Sequence, residues 1–225
     1  MSAGLALLRA LQFADGQFPA GGFAFSWGVE SLMADGLLAR ADWPDFLRGQ
    51  MEHRWAPQDR PLTAHAFLAA GDEAALLALD ELAEALTLAA PAREGSRRAG
   101  AALLATHARL DTPGAAAYQA LAAAGKAPGH LPVAMGLALA GAGLDLPLSL
   151  AVSAHATAQA LGTAALRLGL IGALEAQAAL QALQPRLAEL IAAPVPPVEE
   201  IGGFTPLADI AMMRHPLQKQ QLFSN

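Results

Sequence analysis

Hydrophobic residues recur with a helical period along most of the chain. Between residues 42 and 55 the apolar stripe comprises Phe46, Leu47, Met51 and Trp55, and a similar stripe runs through 73–90. Such spacing, three or four residues apart, is typical of amphipathic helices. Period-two alternation is absent, and the β-branched residues that favour strands are scarce. We therefore predict an all-α fold, a single-domain helical bundle of about nine or ten helices.

Caps, glycines and prolines set the expected helix boundaries. Asp72 is placed to cap a helix over 73–90, and Asp42 to cap the helix that ends near Trp55. Pro57 and Pro61 are expected to bracket a break, because proline inside a helix removes a hydrogen bond. Further helical segments are predicted over 5–13, 26–34, 62–70, 92–110, 114–124, 132–142, 148–169, 174–183, 185–192 and 206–215.

The end of the chain is divided by prolines and glycines. We assign residues 1–225 to a single all-α domain, in which 194–204 is a Pro/Gly-rich linker to a C-terminal helix. The last ten residues, 216–225, have no periodic core face but retain Leu222 and Phe223. Exposed segments of this kind often become ordered on a partner. We therefore predict that 216–225 is a partner-binding tail.

Charged residues are sparse and, on balance, negative. Asp, Glu, Lys and Arg make up 15% of the 225 residues, and the formal net charge is −6. Nucleic-acid-binding proteins usually carry a basic stripe, so we expect no nucleic-acid partner. The chain has no cysteine, which excludes disulfides, thiolate zinc sites and cysteine nucleophiles and fits a cytoplasmic protein.

Two segments, 127–144 and 146–166, contain no Asp, Glu, Lys or Arg. Uncharged runs of this length also occur in membrane-spanning helices. Here the first run is interrupted by Pro128 and Pro132, and the second contains several hydroxyl and amide side chains. We therefore expect buried central helices and no membrane contact, with a small membrane protein as the alternative.

The stretch 15–30 combines four glycines and a proline with three phenylalanines and a tryptophan. So many aromatic residues indicate an ordered loop, which we expect to enter a helix near Ser26. The stretch does not match a P-loop, because no lysine lies near its paired glycines. It does not match a nucleophile elbow either, because Ala24 stands where that turn requires glycine. It is either a packed turn without a function of its own or part of a site.

The polar residues of the chain form no pattern typical of catalysis. The six histidines include no HxH, HxxxH or HExxH pair, so we expect no metal site and no cofactor. His215 is expected at the surface at a helix end. We expect Asp15 to brace the loop and Glu30 to pair with a base at an interface. These features favour a helical binding or scaffold protein, not an enzyme; the alternative is a helical enzyme with its site in the 15–30 loop.

Motifs near both ends of the chain resemble those of UreF-type urease accessory proteins. In the first motif the matching residues are Asp15, Pro19, Gly21, Gly22, Phe23, Ser26, Gly28 and Glu30. In the last they are Pro206, Asp209, Ile210, Met213, Arg214, His215, Leu222, Phe223 and Ser224. A middle segment, 130–133 with Gly136, is also similar. The tail departs from the family pattern at Pro216, where glutamate is usual, and at Gln221, where arginine is usual.

The resemblance implies a non-catalytic role in the insertion of nickel into apo-urease. Proteins of this type are all-α, tend to dimerise, and bind a D/H-type accessory protein and a G-type GTPase. The resemblance, together with the aromatic residues of the loop, assigns partner binding to two groups of residues. They are Pro19, Gly21, Gly22, Phe23, Ser26, Trp27, Gly28 and Glu30 in the loop, and Asp209, Met213, Arg214, His215, Leu222 and Phe223 at the end.

Overall fold

The protein is all-α, as its sequence predicts. A computed structural model describes residues 2–21, 25–217 and 222–223, and this part of the chain contains no β-strand. Its helices are α1 (Ala3–Ala14), α2 (Val29–Ala34), α3 (Trp43–Gln50), α4 (Arg60–Leu68), α5 (Glu73–Leu86), α6 (Ala90–Arg109), α7 (Ala115–Ala123), α8 (Leu131–Gly141), α9 (Leu146–Arg167), α10 (Ala173–Ala192) and α11 (Pro206–Arg214). A π-helical segment, Met51–Asp59, connects α3 to α4.

Local side-chain chemistry explains where several helices begin. The carboxylate of Asp72 accepts a hydrogen bond from the backbone N–H of Ala75, which confirms Asp72 as the cap of α5. Asp145 does the same for α9, accepting from Leu148 at 2.9 Å. Each cap satisfies one of the N–H groups that the first turn of a helix leaves without an intrahelical partner.

The predicted break between Pro57 and Pro61 is wrong. The chain remains helical from Trp43 to Leu68, and its middle turns widen into the π segment. There the backbone N–H of Arg60 donates to the carbonyl of Trp55, five residues earlier. Tertiary contacts outweigh the local effect of proline. Trp55 is fully buried with its indole N–H on the hydroxyl of Ser153, and the carbonyl of Pro57 accepts from Gly202.

The predicted division at Pro185 is also wrong, since α10 continues from Ala173 to Ala192 with this proline inside it. Leu180, Leu183 and Leu187 form the buried face of α10, whereas Pro185 lies on its exposed side. Burial of three leucines spaced over two turns favours the continuous helix enough to offset the hydrogen bond that proline removes.

The residues that connect α10 to α11 lie along the π segment and α4. The guanidinium of Arg60 donates to the carbonyls of Ala193 and Pro194, at 2.8 and 2.9 Å. Further along, the backbone N–H of Phe204 donates to the carbonyl of His53 at 2.8 Å. These bonds fix where α11 begins.

The buried residues form two principal hydrophobic clusters that share α9. One cluster joins α4, α5, α6 and α8 with Val152 of α9, and the other joins α2, α3, the π segment, α9 and α10. The uncharged helix α8 is buried between its neighbours, as predicted. Within the described residues, no helix is both long and apolar enough to span a lipid bilayer.

Glycine allows α8 to approach α4 closely. A Cβ on Gly136 would overlap the carbonyl oxygen of Thr63 and lie 2.8 Å from the Cβ of Ala66. No such contact exists at Gly49 in α3, where a Cβ would have no neighbour within 4 Å. The two glycines therefore differ in packing although both are helical.

We expect Gly136→Ala to lower the free energy of unfolding by about 1–3 kcal/mol, because backbone would have to move to make room. Gly49→Ala is the matched control and should not destabilise the protein, since alanine favours the helix. Urea unfolding followed by circular dichroism measures both. Equal stability of the two variants would contradict the close packing of α8 on α4.

Candidate functional site

A tight turn at the start of α2 aims Glu30 into the protein. Trp27 and Gly28 both have left-handed backbone angles, with φ of 52° and 88°. The carbonyl of Ser26 accepts from Val29, and its hydroxyl accepts from the N–H of Glu30. A Cβ on Gly28 would lie 3.0 Å from the carbonyl oxygen of Ala208 in α11. Glycine at this position therefore serves both the turn and the approach of α11.

The buried carboxylate of Glu30 holds the C-terminal part of the chain. Nε2 of His215 lies 2.8 Å from Oε2, and the backbone N–H of Leu222 donates to Oε1 at 2.6 Å. The N–H of Phe223 donates to Oε2 at 3.3 Å. Because a buried carboxylate is costly without such donors, these bonds lock two distant segments together.

Two predictions for these residues are wrong. His215 was expected at the surface, but its side chain is fully buried. Glu30 was expected to pair with a base at an interface, but the base it contacts is His215 of the same chain. The physical reason is that α11 packs on the start of α2, so the residue that follows α11 faces the interior.

The tail residues Leu222 and Phe223 have opposite environments. Phe223 is 5% exposed, and the guanidinium carbon of Arg167 lies 4.2 Å from its ring centroid. Leu222 is largely exposed. Next to them, Arg214 makes an ion pair with Asp35 at 2.9 Å, with the Arg214 side chain more than half exposed. Exposed pairs of this kind add little stability.

The structure thus sorts the predicted partner-binding residues by accessibility. Buried are Ser26, Gly28, Glu30, His215 and Phe223; partly buried are Trp27 and Asp209; exposed are Pro19, Gly21, Met213, Arg214 and Leu222. Gly22 and Phe23 lie outside the described residues. The buried members join the first motif to the last, and partner binding by the exposed members stays a prediction.

An exposed apolar stripe runs along α11 and the residues that flank it, and of its members the sequence analysis assigned only Met213 to partner binding. Its members lie three or four residues apart, and their exposed fractions run from 46% to 83%: Phe204, Leu207, Ile210, Met213 and Leu217. The opposite side of α11 carries Ala208, Ala211 and Met212, which are buried. The signal was present in the sequence, because α11 has apolar residues on both faces although one face suffices for packing.

A cavity of about 400 Å³ lies behind the loop, and Phe18, Trp27 and Phe223 contribute to its wall. The ion pair between Arg54 and Asp59, 3.5 Å apart, also lines it. Arg54 and Asp59 are five residues apart. Because a π-helix forms hydrogen bonds between residues five apart, this spacing places both side chains on the same side of the π segment. Burial raises the pKa of Asp59, and the adjacent guanidinium opposes that shift.

Two polar residues of the described part of the loop, Asp15 and Ser26, make local hydrogen bonds. Asp15 accepts from the backbone N–H of Gln17 at 2.7 Å, which confirms its bracing role. Ser26 is fully buried. Among the described residues, no group of three or more His, Asp or Glu side chains is placed to hold a metal ion.

His107 packs beside the loop in the wall of the cavity. Its ring lies between Phe13 and Phe18, with centroid distances of 4.9 and 5.4 Å, and its Nδ1 is 3.0 Å from the hydroxyl of Thr112. Burial lowers the pKa of His107 to about 4. The imidazole is therefore neutral in the folded protein at neutral pH.

Comparisons with known proteins agree on one family. The sequence model of the family described as UreF matches residues 38–184. A urease accessory protein UreF of Cereibacter sphaeroides is 34% identical over 223 residues, covering 97% of this chain and 98% of that protein. Proteins of the same name from Paracoccus denitrificans and Rhizobium meliloti are 33% and 30% identical, covering 97% and 96% of this chain and 95% of each relative.

We expect the buried His107 to make the protein less stable in acid. Its pKa is about 4 when folded and about 6.5 when unfolded. The unfolded chain therefore binds the proton first as the pH falls, and stability is lost between about pH 6.5 and 4. This single group should cost about 2 kcal/mol between pH 7 and pH 5.

Urea unfolding at both pH values measures this effect. His107→Gln should remove that part of the acid destabilisation, whereas His53→Gln, a change at an exposed histidine, should leave it unchanged. An unaltered pH dependence in His107→Gln would show that His107 is not the group responsible.

Proposed function

The chain belongs to the UreF family of urease accessory proteins, and on that premise we propose that it is a non-catalytic scaffold for urease maturation. In this proposal it bridges a D/H-type accessory protein and a G-type GTPase, and the complex inserts nickel into apo-urease. It acts in the cytoplasm as a homodimer. Nickel is the cargo of the complex, and this chain contributes binding surfaces.

The observation that carries the proposal is the apolar stripe of α11. Five large apolar side chains are exposed along α11 and its flanking residues, and clustered exposed apolar residues often mark a protein–protein interaction site. Apolar residues at the centre of an interface supply much of its binding energy, and a polar rim adds orientation. Arg214 and Asp35 lie beside the stripe and provide such a rim.

The buried junction supports the same proposal. Glu30 and His215 hold α11 against α2 from within, so the stripe is presented on a fixed helix. A surface that is ordered before binding loses less conformational entropy when a partner docks. The buried residues that join the two motifs, Glu30 and His215, therefore contribute to partner binding indirectly, by fixing the position of α11.

A co-expression experiment tests the proposal. We expect Ile210→Asp to reduce co-purification of the D/H-type accessory protein by at least roughly tenfold, because a carboxylate would be desolvated in an apolar interface. Leu174→Asp is the matched control, since Leu174 is 83% exposed on α10, away from the stripe. Circular dichroism confirms that both variants fold.

Retention of the D/H-type protein by Ile210→Asp at the wild-type level would contradict the stripe as its binding surface. Failure of the wild-type chain to co-purify with any urease maturation component would contradict the proposed function as a whole.

A further inference from the structure

The environment of Leu222 and Phe223 has the features of a peptide-binding site. Two consecutive backbone N–H groups meet one carboxylate, that of Glu30, and the second residue buries its aromatic ring. Recognition through main-chain N–H groups combined with a pocket for one side chain is how proteins commonly bind short peptides. The Glu30 pocket comprises Glu30, Arg167, His215 and the cavity wall at Trp27 and Met212.

We propose that the Glu30 pocket is a recognition site for a peptide segment whose phenylalanine ring it buries, and that the chain's own Leu222 and Phe223 occupy it in cis. This inference goes beyond the proposed function, because it concerns a site within this chain and needs no partner. The occupant is defined by what the pocket offers: an acceptor for two adjacent N–H groups, a cavity for an aromatic ring, and a cation above that ring.

Each part of the pocket selects a different feature of the segment. The carboxylate of Glu30 selects a main chain that bends so that two adjacent N–H groups reach it, and charge-assisted hydrogen bonds of this kind are stronger than neutral ones. Arg167 selects an aromatic ring, with its guanidinium carbon 4.2 Å from the centroid. The position before the ring is open to solvent, since Leu222 is 68% exposed, so the side chain there is weakly selected.

The covalent connection makes the tail a strong competitor for its own pocket. Only four residues separate Leu217, in the turn after α11, from Leu222. Short connections give effective concentrations on the order of millimolar. A free peptide therefore binds measurably only when the attached tail is weakened, and a partner that captures the tail must first displace it from the Glu30 pocket.

Fluorescence polarisation with a labelled decapeptide of residues 216–225, PLQKQQLFSN, tests the proposal on full-length chains. Phe223→Ala removes the ring of the attached tail, so this variant should bind the peptide saturably and at least roughly tenfold more tightly than the wild-type chain. Adding Glu30→Gln to Phe223→Ala should weaken the binding roughly tenfold. Adding Glu81→Gln, at an exposed carboxylate of α5, should leave it unchanged.

Arg167→Gln in the Phe223→Ala background keeps the test decisive if Glu30→Gln fails to fold. Arg167 is exposed, so its replacement should preserve the fold while peptide binding weakens roughly two- to fivefold. A peptide with alanine in place of its phenylalanine should not bind. Absence of binding to Phe223→Ala at millimolar peptide, or equal binding to Phe223→Ala and wild type, would overturn the proposal. The proposal would also be overturned if the Glu30→Gln and Arg167→Gln variants folded and bound the peptide as tightly as Phe223→Ala alone.

Discussion

The structure depends on one buried carboxylate, that of Glu30, and on the donors that satisfy it. A carboxylate in a protein interior is tolerated only when hydrogen bonds replace those it made to water. For Glu30 the donors come from His215, Leu222 and Phe223, at the far end of the chain. These hydrogen bonds therefore hold the C-terminal residues against the start of α2, and they hold α11, which precedes His215, in the same place.

Several features of the sequence follow from that contact. Gly28 permits the turn that aims Glu30 inward and also leaves space for the backbone of α11. The buried face of α11 consists of two alanines and a methionine, which allow the helix to lie close to α2. Its other face carries exposed apolar residues that no described part of the chain covers. One contact thus explains both the glycine of the first motif and the exposure of the stripe.

The fold class was predictable from the sequence because the helical spacing of apolar residues is a local property, and the same residues form the buried faces of the helices in the folded protein. The sequence also predicted the cap at Asp72 and the burial of α8. The errors at Pro57 and Pro185 have a common cause, since the local effect of proline is small beside the burial of Trp55 or of the leucines of α10. The position of His215 was not predictable, because its partner lies 185 residues away. The two motifs were recognised as separate signals, and only the structure shows that they meet.

A double-mutant cycle on Glu30 and His215 tests this account most directly. The free energy of unfolding in urea is measured for the wild type, Glu30→Gln, His215→Gln and the double variant, with circular dichroism as the readout. Residues in direct contact typically show coupling energies of about 0.5–3 kcal/mol. For Glu30 and His215 we expect a coupling energy of at least about 1 kcal/mol. Additive effects, with a coupling near zero, would contradict the claim that this pair joins the two ends of the chain.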